Sequence, residues 1–157
     1  MPDSSYFGDS FVVKMPSAAL GNVVAPTFSG ISSLVADDDG SLVAGWAAAT
    51  GSAQAPISYA VYVAFGSVSA GALFVDANII GRFDGLSARF YTLPDNTTFL
   101  NKDETYTVGV RAVSANGISE TNTVIDTEVC LGVNLNDLEL DVTAIKKLAK
   151  TILGNVV

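Results

Sequence analysis

The stretch "FLNKDETYTVGVRAVSANGISE", residues 99–120, decides how the rest of the chain is read. Its polar "NKDE" (101–104) is turn chemistry. After it, Tyr106, Val108, Val110 and Ala112 fall on every second position, the period of a strand with one buried face. Asn116-Gly117 then supplies the dipeptide that turns one strand back into the next. The segment therefore predicts a β-hairpin, and a hairpin needs further strands to bury its apolar side.

Those strands are legible on either side. Turn-forming clusters recur at "DDDG" (37–40), "TGSAQAP" (50–56) and "PDN" (94–96). Between them lie runs rich in Val, Ile, Tyr and Phe. The expected strands are Phe28 to Val35, Ser41 to Ala48, Ile57 to Phe65, Ile79 to Phe83, Ala88 to Leu93, Tyr106 to Ser114 and Thr121 to Val129. In the third, Tyr59, Val61, Val63 and Phe65 alternate as the later group does. Seven short strands at this spacing predict an all-β, antiparallel sandwich.

Over residues 26–129 the chain resembles the fibronectin type III and related immunoglobulin-like domains. Pro26, Phe28 and Gly30 look like that family's opening, "SLVAGW" puts Trp46 on the second strand, and "ISYAVYV" looks like the third. Leu100 stands six residues before Tyr106, as in the family's penultimate hairpin. The resemblance implies a seven-stranded fibronectin type III-like sandwich with a core of Trp46, Tyr59, Val61, Leu100, Tyr106, Val108 and Val110. It also implies a tyrosine corner, the Tyr106 hydroxyl bonding backbone near Leu100. The chain departs from the pattern at Asn101-Lys102, where a Pro is expected, and in the length of Gly66 to Arg89. Sheet membership of residues 66–93 is left open.

Two flanks lie outside this unit. Residues 1–25 lack a clear period and contain Pro2, Gly8, Pro16 and Gly21, which predicts an extended N-terminal arm. Residues 130–157 read as a linker and a short amphipathic helix. Asp141 is placed to cap it, and Val142, Ile145, Leu148, Ala149 and Ile152 share one face opposite Lys146, Lys147 and Lys150. A helix of about a dozen residues does not persist alone in water, so that face is the expected assembly interface. "LGNVV" occurs once in each flank, at 20–24 and 153–157.

Composition narrows the function. The chain carries 16 acidic and 8 basic residues, net charge −8, which disfavours a nucleic-acid partner. There is no His and one Cys, Cys130, which closes His-based acid/base chemistry, His/Cys metal sites and an internal disulfide. No catalytic residue, cofactor or metal is expected. Gly40 to Val75 is uncharged, yet Gly45, Gly51, Pro56 and Gly66 interrupt it, so no membrane span is expected. The N-terminal residues lack the pattern of a secretory signal.

Individual motifs have ordinary explanations. Asp37-Asp38-Asp39-Gly40 is a calcium candidate that also reads as a hairpin turn. Asn96-Thr97-Thr98 matches a glycosylation acceptor but reads as a polar loop. Cys130 is expected as a small buried hydrophobe. These readings point to a non-enzymatic structural subunit of a large assembly. The resemblance implies a bacteriophage virion protein, such as a capsid decoration, neck or tail component, because virion proteins use modules of this kind. Its expected partners are other copies of itself and other virion proteins, and its location the virion after synthesis in the host cytoplasm. The alternative is a carbohydrate- or cell-surface-binding module, with Phe74 and Phe83 as a stacking platform for a host-surface glycan.

Overall fold

A computed structural model describes residues 23–132 and 145–151 of the chain. Its strands are β1 (Ile31–Ala36), β2 (Leu42–Trp46), β3 (Ser58–Phe65), β4 (Ile79–Phe83), β5 (Ser87–Phe90), β6 (Thr105–Val113) and β7 (Ile125–Val129). A single helical turn, α1 (Ala70–Leu73), precedes β4, and residues 145–151 are helical. All strand pairing is antiparallel, in a three-stranded sheet of order β1-β2-β5 and a four-stranded sheet of order β4-β3-β6-β7. The open question over residues 66–93 is thereby answered: β4 joins the larger sheet and β5 the smaller.

The two sheets bury one another's inner faces. Leu42, Ala44 and Trp46 of β2 meet Tyr59, Val61 and Val63 of β3 and Tyr106, Val108 and Val110 of β6 in a single apolar cluster. Every core residue expected from the sequence lies in it: Trp46 and Leu100 are 5% and 7% exposed, Tyr59 4%, Tyr106 1%, and Val61, Val108 and Val110 0%. Tyr59 stacks obliquely on Trp46, with ring centroids 5.5 Å apart, and its hydroxyl accepts from the Ala49 N–H at 2.9 Å. Burial of each large apolar side chain is worth about 1.5–3 kcal/mol.

Two strands start later than their apolar pattern suggests, each for its own local reason. β1 begins at Ile31 because Gly30 has φ +87°, and a Cβ there would stand 2.7 Å from Val124 Cβ. β7 begins at Ile125 because side chains replace the ladder before it. Glu120 accepts from the Ala112 N–H at 3.3 Å, and Asn122 Nδ2 donates to the Val110 carbonyl at 2.9 Å. Backbone groups that would be orphaned are thus satisfied without a strand.

The outer face of the four-stranded sheet is also covered. Residues 66–78 fold back over it, and Leu73 and Phe74 pack with Tyr62 and Val113. Phe74 meets Tyr62 edge-on at 5.0 Å, and the Arg111 guanidinium lies 4.0 Å from its ring centroid. Gly109 makes room: a Cβ there would fall 2.6 Å from Phe74 Cζ. The fully buried Thr107 hydroxyl ties the segment down, donating to the Gly66 carbonyl at 2.7 Å and accepting from the Val68 N–H at 3.1 Å.

Candidate functional site

The registers define two poles. Ile31 pairs with Trp46 at one end of the sandwich, and Ala36 pairs with Leu42 at the other. At the first end the chain enters through residues 23–30, where Thr27 bridges Thr50 and the Ala115 N–H donates to the Gln54 carbonyl at 2.8 Å. The turn 37–41, the loop 91–104 and residues 130–132 gather at the second, which is called the loop pole below.

Its acidic turn is built around one arginine. The Asp37 N–H donates to the Ser41 carbonyl at 2.9 Å, and Gly40, φ +88°, donates back to the Asp37 carbonyl at 3.2 Å. Asp39 accepts from the Ser41 N–H at 3.0 Å and from the Ser41 hydroxyl at 2.6 Å. Arg89 Nη1, from β5, donates to Asp37 at 2.7 Å, to Asp39 at 3.3 Å and to Ser41 Oγ at 2.7 Å. The Tyr91 hydroxyl reaches Asp39 at 2.9 Å. The Ser41 hydroxyl, foremost, holds the Asp39 carboxyl below its ordinary range, and the bond to Asp37 raises Arg89. The turn proposed as a calcium ligand set instead spends two carboxylates on a guanidinium. Among the described residues no group of three His, Cys, Asp or Glu side chains is placed to hold a metal ion.

The adjoining loop is equally self-satisfied. Asp95 accepts from the Thr97 and Thr98 N–H groups at 2.9 and 2.8 Å and from the Thr98 hydroxyl. The Thr98 hydroxyl is the main reason its carboxyl is lowered to about 2. Asn96, φ 58°, makes the left-handed turn between them. The glycosylation-like triplet is thus part of this carboxylate-capped turn. Beyond it, Leu100 enters the core and the Tyr106 hydroxyl accepts from the Asn101 N–H at 2.8 Å, the bond that the family resemblance implied.

Because Leu100 points inward, its neighbour Phe99 points out, 69% exposed. Phe99 and Tyr91 border a groove of about 440 Å³, with Asp39, Gly40, Lys102 and Gly132 among its other walls. The chain closes one side tightly. Gly132, φ +64°, passes so near Lys102 that a Cβ would lie 2.7 Å from Lys102 Cβ. Cys130, just before it, is fully buried, and its N–H and carbonyl bond Glu104 and Asp103 at 2.9 and 2.8 Å. The pattern of strands and turns carried no signal for this groove except one: Phe99 alternates with the inward Leu100 inside a turn-rich stretch.

The other expected site residues separate into two groups. Ile145 and Leu148 are 65% and 61% exposed, and Ala149 is exposed beside them on the helix; Val142 and Ile152 lie outside the described residues. Phe74 and Phe83, expected as a stacking platform for a glycan, are both half-buried. Phe74 is held by Tyr62 and Arg111, and Phe83 packs on the main core. The reason is the fold of residues 66–78, which turns an apparent insert into a cover. No helix among the described residues is long and apolar enough to cross a membrane. No protein-family model, curated protein or solved structure matches the chain.

Proposed function

We propose that this chain is a non-enzymatic structural subunit of a large assembly, a bacteriophage virion protein built on a seven-stranded fibronectin type III-like sandwich. The observation that carries the subunit reading is exposed apolar surface on both flanks of a well-packed body: Val23 is 63% exposed, Ile145 and Leu148 65% and 61%. Side chains of this kind gain free energy only when a neighbour covers them. The family reading is supported by the strand orders β1-β2-β5 and β4-β3-β6-β7, the Tyr106 corner and the Trp46–Tyr59 pair. The virion reading rests on that family resemblance and on the acidic, histidine-free composition.

Fractionating a lysate of the source on a density gradient tests it. The protein is expected to co-migrate with particles, and a chain lacking residues 141–157 to keep its β-rich circular dichroism while losing incorporation. Recovery only as a soluble monomer, with no particle-bound fraction, overturns the proposal.

A further inference from the structure

We propose that the groove at the loop pole receives the C-terminal helix, residues 145–151, of a second copy of this chain; the inference rests on the subunit reading and names the contact by which copies join. Two uncovered apolar features of the same chain need partners. The groove offers about 440 Å³ beside Phe99 and Tyr91, 69% and 41% exposed. The helix offers Ile145 and Leu148, three positions apart and so on one face. Both side chains are more than half exposed, so the helix does not fill the groove of its own chain.

Charge selects the pairing. Residues 145–151, "IKKLAKT", carry three lysines and no carboxylate. The loop pole carries Asp37, Asp38, Asp39, Asp95, Asp103 and Glu104 against Arg89 and Lys102. Asp37 and Asp39 are engaged by Arg89, whereas Asp38, Asp103 and Glu104 make no ion pair among the described residues. Lys146, Lys147 and Lys150 stand opposite the apolar stripe, so these carboxylates attract the helix through its overall positive charge rather than as paired partners. Groove-to-groove contact would instead bring two acidic poles together, and like charges oppose it.

Chain length permits the exchange. Twelve residues, 133–144, connect Gly132 at the groove's wall to the helix, a reach of up to about 40 Å when extended. Each copy can therefore donate its helix and accept its neighbour's, which closes a two-fold dimer or, if only one contact forms at a time, extends a row.

Sedimentation velocity of the full chain over a range of concentrations tests this, with Leu148→Glu and Phe99→Ser as variants. Both side chains lie outside the core, so neither change threatens the sandwich. Self-association is expected, weakened about tenfold or more by either substitution and weakened further by high salt. Mixing the two variants restores one intact helix–groove contact, so association is expected to recover in part. An oligomer indifferent to both substitutions overturns the docking while leaving the subunit reading in place. A response to Phe99→Ser alone, or a wild-type chain that is monomeric at every concentration, also overturns it. The density-gradient result stands apart from all of these, so the two proposals fail separately.

Discussion

The two faces of the β3–β6 pair are buried by different means. The inner face, with Val61, Val63, Tyr106, Val108 and Val110, is covered by the other sheet, and its residues alternate cleanly along each strand. The outer face, with Tyr62, Thr107 and Gly109, is covered by the segment 66–78, through two aromatic rings, one hydroxyl and the absence of a side chain. The first is a pattern repeated across many residues. The second depends on a few individual contacts, so single substitutions should discriminate the faces.

The inner face should be the costlier to damage. Tyr106 is the largest fully buried side chain among the described residues, and Tyr106→Ala removes its ring and the corner bond to Asn101 together. A loss of about 4 kcal/mol is expected in urea titration, enough to leave a domain of ordinary stability partly unfolded. A loss below about 1 kcal/mol would mean that the core closes around the gap more easily than its packing suggests.

On the outer face, Gly109→Ala places a methyl 2.6 Å from Phe74 Cζ and 2.9 Å from Leu73 Cδ2. A cost of about 2 kcal/mol is expected from overpacking. The double variant Gly109→Ala/Phe74→Ala should cost less than the two single changes added, because the second removes the atoms the first collides with. Strict additivity would show that Phe74 does not determine the space at residue 109.

Thr107→Val keeps the shape of the same face and deletes only the hydroxyl. The Gly66 carbonyl and the Val68 N–H then lose their partner, which should cost about 1–2 kcal/mol. Amide exchange should quicken for residues 66–74 and stay slow in β6. Uniform acceleration across β6 would mean that the cover and the sheet open as one unit.

The smallest effect should come from outside both faces. Asp95 has its carboxyl lowered to about 2 by Thr98 and Thr97, so its contribution is present above the ordinary carboxylate range and is lost as pH falls toward about 2. Acidification should loosen the loop 91–100 before either face of the sheet responds. Proton resonances of the Thr97 and Thr98 amides would report it, and Asp95→Asn should abolish the pH response of that loop.

The same contrast explains what could be read in advance. Alternation in "YTVGVRAV" and "ISYAVYV" marks an inner face because period two is a local property of a strand. The core residues Trp46, Tyr59, Leu100 and Tyr106 followed from it and from the family resemblance. Gly109 and Thr107 also occur in "YTVGVRAV", but nothing local distinguishes them from solvent-facing positions. Their meaning depends on Phe74 and Val68, more than thirty residues earlier in the chain.

The candidate site divides in the same way. The helical stripe Ile145–Leu148–Ala149 was visible as spacing, and the acidic turn 37–40 was visible as composition. That Arg89 would claim Asp37 and Asp39 was not, since the two segments are some fifty residues apart. Nor was the groove beside Phe99, which exists only where the turn 37–41, the loop 91–104 and the exit at Gly132 converge.

By itself, the sequence determined the strand content and the inward set, both of them short-range properties, while the corner at Tyr106 came from the family resemblance. Only the tertiary structure decided which sheet took β4 and β5, that residues 66–78 cover rather than protrude, and where an exposed aromatic meets a groove. Those outcomes depend on close approaches between distant segments, and packing at a few tenths of an ångström has no local signature in a chain.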